Sequence, residues 1–253
     1  MTLLIYPITA LVIFLLAKFV PLKLPVNHSE IDFPALNNKY QKWDKLSLIL
    51  ILILIPLMTY LIGLLFSIIF YSPENNDSEI TYHIVTSRLM WFMPALVLSF
   101  GFVKFPMIFI YKFILKEDFD EFILYSDLKT GADGMKIFNY MMWISGIGAV
   151  VLMILLSDYS VNIYKEKIVL NDFLTFTDKT YSFSEIKSIN YIQPINPNTG
   201  ENQTPSYFIK FNDDGHWDTS RGLEDDNNRQ EEIINYLSEI TKLKVNILQA
   251  NPE

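Results

Sequence analysis

Four long apolar runs fall within the first 156 residues of this 253-residue chain, and none follows them. They are Leu3–Val20, Leu46–Tyr71, Leu89–Leu115 and Asn139–Leu156. A hydrocarbon core about 30 Å thick takes roughly 20 apolar residues of helix to cross. Helix is the form to expect there, because it satisfies its own backbone donors and acceptors where water cannot. The pattern predicts an α-helical membrane domain over residues 1–156, with four transmembrane helices at about 3–20, 46–71, 89–110 and 139–156. A soluble domain over 157–253 follows it. The first run has no positive residue before Lys18 and no small-x-small cleavage site before Pro21, so it reads as a retained span rather than a signal peptide.

Loop charges set the expected orientation, because Lys and Arg near span ends collect on the cytoplasmic side. Lys18–Lys45 carries five lysines, and Lys104–Lys136 again carries five. Ser72–Arg88 has only Arg88, against Glu74, Asp77 and Glu79. Loops 21–45 and 112–137 are therefore expected in the cytoplasm and loop 72–88 outside. Parity then puts the N-terminus and the C-terminal domain outside as well. Tyr40 and Trp43 read as interfacial anchors in loop one. Between spans three and four, Phe113–Tyr125 keeps helical spacing with an acidic face of Glu117, Asp118, Asp120 and Glu121. A helix extending from the membrane, or lying on it, fits that pattern.

The spans hold little ionisable chemistry. Pro56 and Gly63 lie in the second, and Pro94, Gly101, Lys104 and Pro106 in the third. Ser145 and Ala149 in the fourth are four apart, either a small-xxx-small pair for close helix approach or ordinary span composition. An intramembrane charge is a functional candidate by default. Lys104, however, lies toward the cytoplasmic end of its span, and its long stem is expected to carry the ammonium to the headgroups. No Asp, Glu or His accompanies it within the spans, so no proton relay or coupling-ion site is evident.

After Asp158 the apolar period changes from helical to two. Ser160–Lys165, Lys167–Asn171, Leu174–Thr177, Lys179–Phe183, Ile186–Gln193, Ser206–Asn212 and His216–Thr219 read as short strands. Asp213-Asp214-Gly215 is hairpin chemistry. A helix is expected from about Arg229 to Lys242, with Asn228 and Glu231 as capping box and Ile233, Ile234, Leu237 and Ile240 as buried stripe. The expectation is a small, mostly β barrel or sheet closed by one C-terminal α-helix. The stretches SVNIYKEKIVLND, KTYSFSEIKSI, YFIKFNDDGHW and RQEEIINYLSEITKLK, within about residues 160–246, resemble the bacterial pleckstrin-homology-like (PH-like) domains that often follow membrane spans. The resemblance implies a PH-like fold and a binding or assembly module rather than an enzyme. Richness in Ile, Asn and Lys likewise reads as an AT-rich bacterial genome. Phosphoinositide binding by such a domain would need a basic pocket. Here Lys165, Lys167, Lys179 and Lys187 alternate with Glu166, Asp172, Asp178 and Glu185, which counts against it.

Other chemistries are excluded or weak. Residues 157–253 carry 9 Lys+Arg and 16 Asp+Glu, a balance of −7 out of the chain's −8, which repels nucleic acid and anionic lipid alike. Without cysteine there is no disulfide, thiolate metal site or Cys nucleophile. His28, His83 and His216 lack metal-site spacing, and His216 beside Trp217 reads as a strand-surface residue. The acidic run Glu224–Asp226, with Glu231 and Glu232, lacks calcium-loop spacing and suits a helix N-terminus instead. Sequons at Asn27, Asn76 and Asn202 read as chance in an Asn-rich chain. No catalytic residue, cofactor site or metal site is assigned. The expected partners are the lipid bilayer and a protein bound through the C-terminal domain, or a second copy through the spans. The alternative function is a small oligomeric channel or transporter.

Overall fold

A computed structural model describes residues 31–72, 77–173, 177–192, 206–223 and 227–248. The run Leu3–Val20, His28, the three sequon asparagines, Glu224–Asp226 and most of Leu174–Thr177 lie outside the described residues. Among the described residues, three helical stretches are long and apolar enough to cross a membrane: Phe33–Phe70, Arg88–Thr130 and Gly134–Asp158. The chain divides into two units, one formed by residues up to Leu61 with Ala95–Ala149, the other by Ile62–Pro94 with Val150 onward.

Helix α1 (Phe33–Phe70), which belongs to the first unit as far as Leu61, starts well before its apolar run. Asp32 Oδ1 accepts the Ala35 N–H at 3.2 Å and so serves one of the free donors of the first turn. The third apolar run is helical in successive segments, with Val103 between two of them still in helical conformation and its N–H donated to Ser99. A 3-10 turn, Arg88–Trp91, leads into α2 (Phe92–Phe102), and α3 (Lys104–Leu115) restarts after Val103. Pro94 falls in the first turn of α2, where the missing N–H costs nothing, and Pro106 removes one donor next to the break at Val103.

The chain then reverses rather than running on. Lys116 takes a left-handed φ of 51°, and α4 (Phe119–Thr130) leaves in a new direction. The expected extension over Phe113–Tyr125 is thus corrected: Phe119, Phe122 and Tyr125 turn inward onto Leu36, Tyr40, Met107 and Tyr111 as one buried cluster. Tyr40 is likewise no interfacial anchor. It is 1% exposed and donates its hydroxyl to Glu121. The acidic face found its cation, since Lys39 Nζ lies 3.1 Å from Asp118 and 2.5 Å from Glu121. Gly131, with φ of 71°, ends α4, and α5 (Gly134–Asp158) follows.

Ser145 and Ala149 are buried on α5, and a Cβ on Gly101 of α2 would stand 2.8 Å from Met142 Cα and 1.8 Å from Ser145 Oγ. Ser145 therefore lies at a close helix contact, as small residues do where backbones approach.

The second unit contains two four-stranded sheets. The first runs β1 (Ile80–Val85), β2 (Ser160–Tyr164), β3 (Lys167–Asn171), β4 (Lys179–Ser182), all antiparallel. In the second, β5 (Ile186–Ile192) pairs with β6 (Ser206–Phe211), which pairs with β7 (His216–Asp218); β8 (Val245–Leu248) lies parallel on the other side of β5. Helix α6 (Asn227–Thr241) buries Ile233, Ile234 and Leu237 in a core with Ile163, Ile168, Ile189, Ile209 and Phe211, whereas Ile240 of the expected stripe is 42% exposed and Asn228 lies inside the helix rather than at its cap.

Segment 72–88, read from its charge as a plain loop, supplies β1. Val85 pairs with Ser160 and His83 with Asn162, whose side chains also meet at 2.6 Å. Arg229 of α6 donates to the His83 carbonyl at 2.9 Å. The turn Ser220–Leu223 comes so near that a Cβ on Gly222, already at φ 99°, would lie 2.6 Å from the Val85 carbonyl oxygen.

The helix contact at Gly101 yields a paired prediction. Gly101→Ala forces backbone apart and is expected to cost about 1–3 kcal/mol, as overpacking does. Gly146→Ala on α5, with nothing within 4 Å of the added methyl, is expected to be neutral or to gain up to about 1 kcal/mol. Melting of the two variants in one detergent checks both.

Candidate functional site

Four helical stripes of the first unit line a partly open cavity of about 150 Å³. Helix α1 contributes Asp44, Ser47 and Ile51; α3 contributes Lys104, Met107, Ile108 and Tyr111. Residues Phe119, Phe122, Ile123 and Ser126 of α4, with Met135 and Phe138 of α5, close it. Each set follows the three-and-four spacing that puts side chains on one helix face.

Most polar groups in this wall are satisfied by neighbours. The Tyr111 hydroxyl donates to the Trp43 carbonyl at 2.7 Å and lies 2.8 Å from Ser47 Oγ. Asp44 is held by Lys129 at 2.5 Å. Lys104 differs. Only 6% of it is exposed, and its ammonium donates to a neutral acceptor, Asn139 Oδ1, at 2.6 Å. The Phe105 ring, 4.9 Å away, adds a cation–π contact. Among the described residues no carboxylate reaches it within ion-pair distance. The expectation that Lys104 extends to the headgroups is corrected: the stem turns into the helical unit. A lysine charge within hydrocarbon costs about 2.5–3.5 kcal/mol on insertion scales.

The β module brings together different groups. Tyr181 of β4 stacks on Phe211 of β6 with ring centroids 3.8 Å apart. Its hydroxyl donates to Asp213 Oδ2 at 3.1 Å. Burial, and then that carboxylate, push the Tyr181 hydroxyl up to about 12. The Gly215 N–H, donating to Asp213 Oδ1 at 2.9 Å, and the Tyr181 hydroxyl hold Asp213 below the usual carboxylate range. Asp213-Asp214-Gly215 is thus a turn that locks one sheet to the other, with Asp214 at φ 62°. Ser182 and Glu185 form a reciprocal cap on the 3-10 turn between β4 and β5. Tyr159, buried beside β2, donates to the Arg221 carbonyl at 2.6 Å, and burial raises its hydroxyl well above the ordinary range.

His216 is exposed and stacks on Phe208, ring centroids 4.7 Å apart, while His83 sits in β1. Among the described residues no three His, Asp or Glu side chains converge as a metal site. The lysines flagged in the sequence stay dispersed. Lys165 and Lys167 border an open hollow with Glu79 and Glu166, and Lys187 lies 4.0 Å from Asp214. No single helix reveals the cavity around Lys104, because its lining comes together only from four of them. Its signal was the recurrence of polar residues at helical spacing in otherwise apolar stripes: Asp44 and Ser47, Lys104 and Tyr111. No family model, no curated protein and no solved structure matches the chain.

The tyrosines set an alkaline limit. A group whose folded pKa is raised binds its proton more firmly in the native state, so its contribution is complete below the unfolded pKa and is lost as pH rises. For Tyr181 that window runs from the ordinary tyrosine value of 10.0 to about 12. Tyr181→Phe is expected to flatten the fall of stability across this window, and to cost about 1 kcal/mol at neutral pH through the lost hydrogen bond. Denaturant titrations at pH 7 and through the alkaline range measure both.

Proposed function

We propose that the chain is a bacterial multi-pass membrane protein without enzymatic activity, whose β module is a PH-like domain serving protein binding or assembly at the membrane. The observation carrying this reading is the way the module is joined to its helices. Tyr159 is the one residue between α5 and β2, and Thr86-Ser87 alone separates β1 from the 3-10 turn that opens α2. Thr86 Oγ1 also donates to the Leu156 carbonyl at 3.3 Å, and the Phe70 ring stacks on Trp91 at 5.2 Å. Junctions this short hold the sheet to the helix ends of its own unit, which suits docking better than a long tether does.

The element order supports the PH-like reading. Strands β1–β4 form one sheet, β5–β7 belong to the other, and α6 packs on the shared core. Here the first strand comes from between two spans. A strand cannot pair across a bilayer, so the β1–β2 ladder favours segment 77–87 and the module in one compartment. The lysines of 39–45 and 104–136 favour the cytoplasm for the opposite ends, hence an extracytoplasmic module.

Binding is assigned to the edge of the second sheet. Strand β8 is last in its sheet among the described residues, and Ile247 there is 79% exposed. An acidic module with an open edge suits a partner that adds a basic, extended segment as a further strand. The apolar outer faces of the helices meet lipid or a second copy.

Two measurements test this. Reporters placed after Asp77 and after Leu248 are expected to give the same, extracytoplasmic side; opposite sides would end the model. A photo-reactive residue at Ile247 is expected to capture one basic partner of defined mass in cells, abolished by Pro at Asn246. Undiminished assembly after deletion of 159–248 would refute a binding role.

A further inference from the structure

We propose that the cavity around Lys104 is a binding site for a single-chain carboxylate amphiphile, a fatty acid drawn from the surrounding bilayer. This stands apart from the role of the β module and rests on the helical unit alone.

Charge is the first argument. The Lys104 ammonium carries three N–H donors, of which Asn139 takes one at 2.6 Å. The remaining two have no acceptor among the described residues. The other charges at the wall do not offset it, since Asp44 already pairs with Lys129 at 2.5 Å. A buried cation whose one hydrogen-bond partner is neutral is a site for an anion, because a charge out of water is held by pairing. A carboxylate presents two oxygens to the two open donors.

Shape and lining give the second argument. Beyond the lysine the wall is Ile51, Met107, Ile108, Ile123, Met135 and Phe138. A volume of about 150 Å³ equals that of cavities that accept benzene. It therefore takes a carboxylate and the first few methylenes, and the rest of a chain passes into the hydrocarbon outside. A phosphodiester with two acyl chains is too large for that volume. Tyr111 and Ser47 stand nearby as neutral hydrogen-bonding groups. Since their mutual contact at 2.8 Å already uses them, they position the wall rather than the ligand.

Full-length protein in phosphatidylcholine nanodiscs, with radiolabelled laurate as probe, tests the assignment. Laurate is expected to bind saturably and to be displaced at least tenfold better by unlabelled laurate than by dodecanol, which keeps the chain and lacks the charge. Lys104→Met is expected to remove that preference, Lys104→Arg to keep it, and Lys112→Met, exposed on the same helix, to leave it unchanged. Because Met replaces an incompletely paired buried charge with an apolar stem, the unliganded variant should melt no lower than the parent. Should Lys104→Met fail to fold, Ser126→Leu fills the cavity from α4 and leaves the charge, and it too should abolish binding. Equal displacement by dodecanol would overturn the proposal, as would an undiminished preference in Lys104→Met or, where that variant fails to fold, undiminished binding in Ser126→Leu. Displacement of laurate by equimolar phosphatidylglycerol in the disc would overturn the carboxylate assignment in favour of a phospholipid phosphate.

Discussion

Antiparallel pairing of Ile80–Val85 with Ser160–Tyr164 is the constraint on which the second unit depends. It closes a chain segment of more than seventy residues, including two membrane-length helical stretches, with one ladder. Loop-closure entropy grows slowly with length, so such a closure is affordable once strand and core contacts form. Without it, Ile84 would leave the core and β2 would become an edge with unpaired donors and acceptors. The Arg229 and Gly222 contacts at β1 act in the same place, tying α6 and the 220–223 turn to the one strand that comes from elsewhere in the chain.

The first unit solves a different problem, that of polar groups near an apolar environment. Lys39, Glu121 and Tyr40 satisfy one another, and Lys129 and Asp44 do the same across two helices. The aromatic rings of Tyr40, Tyr111, Phe122 and Tyr125 fill the space between, with the Tyr111 and Phe122 centroids 4.8 Å apart. The sharp reversal at Lys116 makes this possible, for it turns α4 back onto α1 and α3. Lys39 and Lys129 are here structural members of the packed helices.

Much of the architecture was legible in residue order. Strands at Lys167–Asn171 and Ser206–Phe211 and the helix carrying Ile233, Ile234 and Leu237 stand where period-two and helical spacing placed them. What escaped was non-local. Ile80, Tyr82 and Ile84 alternate as a strand should, but their partner lies some eighty residues on, and the acidic neighbours read as loop. Local spacing extended the helix through Lys116, because a single left-handed residue leaves no mark when it is not glycine. Lys104 looked free to reach water, since its stem length is visible in the sequence and its Asn139 partner is not. The candidate site was the least legible part: it is assembled from four helices, each contributing only two to four residues.

The one-residue junction at Tyr159 has a geometric corollary. A helix advances about 100° per residue and a strand alternates its faces at each residue. Lengthening the junction by a single residue must therefore either swing the sheet around the axis of α5 or turn Asn162 and Tyr164 inward in place of Val161 and Ile163. With Val85 already fixed opposite Ser160, the first route is closed by the second connection and the second by the core. The joint between helix and sheet behaves as a keyed coupling, in which chain length comes only in whole, non-interchangeable steps.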